Sequence, residues 1–173
     1  MLNFGLIGAA GYVAPRHIRA IRDTGNTLIC AADPNDSVGI LDSYFLNVSY
    51  FSEIERFERF LEKRRRGPEN QRIHWMSICS PNYLHDSHIR LALRTNTKTI
   101  CEKPIVINPW NLDALQELEV EYKTKINTVL QLRLHPVMQK LKESLKAEKT
   151  SKKHKVDLTY ITSRGKWYLR SWK

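Results

Sequence analysis

Short apolar runs alternate along the chain with stretches whose apolar residues recur at helical spacing. Residues 2–8 (LNFGLIG) predict a first strand. Over residues 12–24, Val13, His17, Ile18 and Ile21 fall on one side, which predicts a helix. Residues 27–33 (TLICAAD) predict a second strand and 49–51 a short third. Ile54, Phe57 and Leu61 give residues 53–66 a helical stripe, and Gly67-Pro68 stops it. A strand is expected over 73–80, a helix over 84–94 and a strand over 98–103. Asn108-Pro109 supplies a cap followed by proline in the first helical position, for a helix running to roughly Lys125. Residues 127–133 (NTVLQLR) predict a strand and 136–148 a helix aligning Val137, Leu141 and Leu145. The polar, basic stretch 149–155 looks like a linker, and residues 156–163 (VDLTYITS) alternate like a half-buried strand.

Strands alternating with helices predict an α/β fold, a doubly wound parallel sheet of the Rossmann type. The expected division is a Rossmann domain over 1–136, a helix and linker over 137–155, and over 156–173 the first strand of an otherwise missing α+β domain for substrate binding and oligomerisation. A chain of 173 residues, 42% of them apolar, can bury one substantial core but is short for two complete domains. No apolar run reaches the roughly 18 residues of a membrane span, and the N-terminus lacks the basic start of a signal peptide. Cys30, Cys79 and Cys101 each lie in a strand-like run, and an odd count without a secretory signal points to reduced thiols in the cytoplasm. A net charge of +10 raises the question of nucleic acid. The basic clusters at 63–66 and 146–155 fall at expected helix ends or loops without interleaved aromatics, so no nucleic-acid partner is expected. A basic surface also suits a small anionic substrate. No metal site is expected.

Between the first strand and the first helix stands Gly8-Ala9-Ala10-Gly11-Tyr12-Val13-Ala14. Small residues at a helix N-terminus let a pyrophosphate approach the backbone, where free amides and the helix dipole favour it. The loop is one residue longer before its second glycine than G-x-G-x-x-G, and Ala14 replaces the last glycine. Asp33 ends the second strand, where a carboxylate accepts from adenosine ribose hydroxyls and repels a 2′-phosphate. No Arg or Lys follows between Pro34 and Tyr44, so NAD is expected over NADP. Two further strand ends carry polar clusters, Ser80-Pro81-Asn82-Tyr83-Leu84-His85 and Glu102-Lys103-Pro104. In such sheets ligands bind at the carboxyl ends of the strands.

C-S-P-N-Y-x-H followed by C-E-K-P, after the glycine turn and Asp33, resembles the glucose–fructose oxidoreductase / inositol dehydrogenase family of NAD(P)-dependent sugar dehydrogenases. GAAGYVAPRH, LQLRLHP and GKWYxxSWK are similar, more narrowly, to the UDP-N-acetyl-2-amino-2-deoxy-glucuronate 3-dehydrogenases, cytoplasmic bacterial enzymes that make surface-polysaccharide (lipopolysaccharide) precursors. The resemblance implies roles for matching residues. Gly8, Ala10, Gly11, Tyr12 and Val13 would cradle the phosphates and Asp33 the adenosine ribose. Ser80, Asn82 and His85 would line the nicotinamide-ribose side, with Glu102 on the ribose hydroxyls. Lys103 would take part in both cofactor binding and catalysis, pointing at the sugar hydroxyl being oxidised, where a setting screened from water would help it accept the proton. Gln131 would border the nicotinamide, and Arg133, Tyr168 and Lys173 the nucleotide-sugar substrate. His135 before Pro136 reads equally as a structural corner.

The resemblance also implies what the chain lacks. Family members carry a large open-sheet domain that covers the nicotinamide and supplies a second acid–base residue. A homo-oligomer is implied for the full-length protein. The expected function is the NAD-binding part of an oxidoreductase acting on C3 of a UDP-N-acetyl-hexosaminuronic acid, with little turnover by these residues alone. A non-catalytic module that binds NAD or nucleotide sugars is the alternative, and a fragment and a natural truncation read alike.

Overall fold

Buried on both faces, the strands of a parallel sheet need apolar residues at nearly every position, and the apolar runs form such a sheet. The computed structural model describes residues 1–148, 153, 155–161 and 163, and the chain falls into two units, Met1–Val129 and Leu130–Lys173. In the first unit the elements are β1 (Asn3–Ile7), α1 (Ala14–Asp23), β2 (Thr27–Ala32), β3 (Ser49–Phe51), α2 (Ile54–Arg65), β4 (Trp75–Ile78), α3 (His85–Arg94), β5 (Lys98–Cys101), α4 (Trp110–Glu121) and β6 (Ile126–Thr128). All strand pairs are parallel, in the order β3-β2-β1-β4-β5-β6. Chain order runs outward from β1 to β3 and outward again from β4 to β6, so the crevice of this doubly wound sheet opens between the carboxyl ends of β1 and β4.

One face buries Ile7, Cys30, Ala32, Met76 and Ile78 against Phe57, Leu61, Ile89, Leu93 and Leu115 of α2, α3 and α4. The other buries Phe4, Leu6, Leu28 and Ala31 against Ile18 and Ile21 of α1 and against Leu41. The β1–β2 register shifts between Phe4 and Gly5, leaving Ile29 without a partner. That bulge lets Leu28 and Cys30, two apart, face opposite sides. Arg65 and Arg66, from the basic cluster at 63–66, pair with Glu62 at the end of α2 (2.6 and 3.0 Å).

Three sequence expectations are corrected. β6 stops at Thr128, five residues short of the expected Arg133. Among the described residues its one neighbour, β5, ends at Cys101, and after the Val129 N–H donates to the Cys101 carbonyl no described strand is left to pair with. Pro109 is the N-cap of α4 and not its first residue, and Asn108 accepts from the Trp110 N–H (3.2 Å). In the second unit, residues 131–134 form a 3-10 turn and α5 spans Pro136–Ala147. His135 caps α5 by accepting from the Val137 N–H (3.3 Å), which gives it the corner role. Residues 155–161 are exposed and form no strand, because a strand exists only through its ladder and nothing among the described residues pairs with them. No described helix is long and apolar enough to cross a membrane.

Candidate functional site

The turn after β1 is shaped by how closely two chain segments cross. Gly8 has φ +88°, and a Cβ there would sit 2.5 Å from the Cys79 carbonyl carbon and 2.6 Å from the Ser80 nitrogen. A Cβ on Gly11 would lie 3.0 Å from the Gly8 oxygen. The glycines thus allow the ends of β1 and β4 to meet, as well as allowing a ligand to approach. Beyond the turn, the N–H groups of Tyr12 and Val13 have no acceptor among the described residues. They stand at the start of α1 with the helix dipole behind them, ready for an anion. The Tyr12 side chain is exposed.

Asp33 follows β2 and is partly exposed. One carboxylate oxygen accepts the Ala10 N–H (3.0 Å) and the other the Asn35 N–H (2.9 Å). Its carbonyl accepts from the Tyr50 hydroxyl. The aspartate therefore ties the glycine turn to the second strand end, and each oxygen keeps lone pairs for a diol. Ala10 takes part by pinning this carboxylate with its amide.

The end of β4 differs from the expectation. The Ser80 hydroxyl is buried on His88 Nδ1 (2.8 Å), and His85 is fully buried between two backbone carbonyls, Pro104 O at 2.6 Å from Nδ1 and Ser80 O at 2.9 Å from Nε2. Neither side chain lines an open site. Their work is inward: Ser80 ties the turn after β4 to His88 of α3, and His85 meets the Pro104 carbonyl in the turn after β5. Burial, reinforced by neighbouring His85, pushes His88 down to about 4. Asn82 remains partly exposed at the start of a 3-10 turn over Asn82–Leu84.

Glu102 follows β5, its N–H donating to the Ile78 carbonyl (3.0 Å). Its carboxylate accepts from His17 Nε2 on α1 (2.9 Å). That bond, and behind it the Lys103 backbone amide and charge, holds the carboxyl below its usual range against the opposing effect of burial. His17 Nδ1 meets the Ser77 hydroxyl (2.6 Å). Lys103 is exposed, so the water-screened setting expected for it is not built by the described residues. The Lys103–Pro104 peptide is cis. The three cysteines are buried, and burial raises their thiols, Cys79 to about 12, which suits a structural role.

Four adjacent strand ends are thereby joined: β1 to β4 by backbone contact, β2 to the glycine turn through Asp33, and β5 to α1 through Glu102. Gln131 and Arg133 lie exposed on the 3-10 turn of the second unit. Tyr168 and Lys173 lie outside the described residues. Sequence reasoning missed His17, Ser77 and His88. The available signal was a histidine on an otherwise apolar helix face and a serine inside an apolar strand run.

The cradle and the free amides fit a dinucleotide pyrophosphate, and Asp33 fits an unphosphorylated ribose. The sequence profile of the oxidoreductase family with the NAD-binding Rossmann fold matches residues 2–129. The WlbA (WbpB) dehydrogenase from Thermus thermophilus, solved with NAD and UDP-GlcNAcA, is 46% identical over 99% of this chain and 55% of its own, with a TM-score of 0.90. A structure of that dehydrogenase with NAD and alpha-ketoglutarate gives 43% identity over 99% and 54%, with a TM-score of 0.88. The WlbA dehydrogenase from Bordetella pertussis shares the fold at 18% identity and a TM-score of 0.72. The chain spans about half the length of the Thermus structures.

Proposed function

The chain belongs to the oxidoreductase family with the NAD-binding Rossmann fold, and we propose that it is the cofactor-holding part of an NAD-dependent nucleotide-sugar dehydrogenase. The substrate class is a UDP-N-acetyl-hexosaminuronic acid, oxidised at the C3 hydroxyl on the route to surface polysaccharides. The observation that carries the reading is the convergence of the glycine turn, Asp33 and Glu102-Lys103 on adjacent strand ends. The identity of 46% to a dehydrogenase solved with NAD and UDP-GlcNAcA supports the substrate class.

NAD, when bound, supplies the hydride acceptor. Oxidation of a carbinol removes a hydride from carbon and a proton from oxygen, and the protein must manage the proton. Lys103, just after β5 and next to the end of β4, accepts that proton or stabilises the developing alkoxide, a contribution of roughly 10²–10⁴-fold. Glu102, held ionised, accepts from the cofactor ribose hydroxyls. The Tyr12 and Val13 amides bind the pyrophosphate, and Asp33 takes the adenosine ribose and excludes a 2′-phosphate. Gln131, Arg133, Tyr168 and Lys173 are assigned to the nicotinamide and substrate by resemblance, and the whole enzyme to a homo-oligomer of the cytoplasm.

The test is NADH formation from UDP-GlcNAcA by the complete enzyme. In Lys103→Met, kcat should fall by about 10²–10⁴-fold with the NAD Kd nearly unchanged. Near-normal turnover in that variant would move the base elsewhere.

A further inference from the structure

We propose that His17 is a positioning residue for Glu102, aiming its carboxylate at the cofactor ribose. The proposal rests on the reading of Glu102 given under Proposed function.

His17 lies about one turn into α1, on the face that packs against the sheet. The neighbouring inward residues Ala14, Ile18 and Ile21 are apolar and buried. A polar ring on that face needs partners for both nitrogens, and it has them: Ser77 at 2.6 Å on Nδ1 and Glu102 at 2.9 Å on Nε2. The side chains of His17 and Glu102 are only 12% and 15% exposed.

A serine, a histidine and a carboxylate in line resemble a nucleophile relay. Ser77 rules that out here. It is 2% exposed and lies inside β4, which is paired on both sides, so no substrate carbonyl can reach it. The chain of bonds runs the other way. An ionised carboxylate only accepts, so the N–H is assigned to Nε2 and donates to Glu102, and Nδ1 of the neutral ring then accepts from the Ser77 O–H. The carboxylate sets the tautomer, and the hydroxyl holds the other side of the ring in place. A carboxylate has about four lone-pair sites. His17 occupies one and sets the rotation of the group, so the remaining acceptors point in a fixed direction.

The test titrates the protein with NAD and with ADP, which has the pyrophosphate and adenosine but no second ribose. Glu102→Gln should weaken NAD about tenfold and leave ADP within twofold. His17→Leu should reproduce that pattern, and the double variant should lose no more than either single one. His17→Gln, whose amide N–H can reach the carboxylate, should restore most of the affinity. Ser77→Ala, which leaves the His17–Glu102 bond in place but removes the second anchor of the ring, should weaken NAD alone by about threefold. Should His17→Leu weaken ADP and NAD alike, the residue merely docks the helix and the proposal is overturned. It is also overturned if His17→Leu leaves NAD binding intact while Glu102→Gln weakens it. If Glu102→Gln itself leaves NAD binding intact, the ribose reading of Glu102 fails, and the role of His17 falls with it.

Discussion

After β1 the chain is positioned by backbone: Gly8 at φ +88° lies where a side-chain carbon would strike the Cys79–Ser80 peptide, and the groups offered to a ligand are amides. After β5 it is positioned by side chains: Glu102 is held by His17, His17 by Ser77, and the Pro104 carbonyl by His85. The first arrangement has no room for one added atom. The second can be retuned by replacing a hydrogen-bond partner with one of similar shape. The free amides after β1 are therefore set by the path of the chain, while the carboxylate after β5 is set by replaceable groups.

That contrast can be broken at its stiffest point. Gly8→Ala must move the end of β1 or of β4 and also hold alanine at positive φ. It should destabilise the protein by about 3–5 kcal/mol in urea unfolding and abolish NAD binding. Gly11→Ala, whose new carbon meets the Gly8 oxygen at 3.0 Å, should cost about 1 kcal/mol. If Gly8→Ala were as mild as Gly11→Ala, the crossing of β1 and β4 would be looser than described.

The side-chain web should show itself through pH. His88 is pushed down to about 4 in the folded protein, from an ordinary value near 6.5. Between these values the unfolded chain binds the proton and the folded one does not. Stability from this group is thus complete above about pH 6.5 and is lost as pH falls towards 4, by on the order of 2–3 kcal/mol. Glu102, also held low, adds its loss further down, below its own unfolded value. Urea midpoints measured from pH 7.5 to 4 should fall along this course, and His88→Gln should flatten the upper part of the slope.

A smaller effect is expected where the two modes of construction meet. Asp33 binds a backbone amide of the glycine turn and is assigned the adenosine ribose, so Asp33→Ala should weaken NAD about tenfold by calorimetry. The gap between NAD and NADP should narrow in the same variant.

The sequence made the sheet legible because strands buried on both faces must be apolar throughout, and the runs at β1, β2, β4 and β5 have that character. Gly8 and Gly11 were legible as a tight turn because few residue types satisfy their positions. His85 was misread: a histidine at a helix start beside Ser and Asn looks like a ligand group, and only the fold places the Pro104 carbonyl over it. His17 was visible but counted with the apolar stripe of α1, since its partners lie 60 and 85 residues away. The end of β6 and the lack of a strand at 155–161 depend on neighbouring strands, which local alternation does not report. The linkage that makes Glu102 an oriented acceptor is likewise non-local.

The central claim is that the crevice between β1 and β4 is built for NAD, with a backbone cradle for the pyrophosphate and Asp33 for an unmodified ribose. Calorimetric titration of the protein with NAD and NADP tests it directly. The account requires NAD to bind at least about tenfold more tightly, since a 2′-phosphate would meet the Asp33 carboxylate with no cation supplied between residues 34 and 44. Equal or tighter binding of NADP would contradict it.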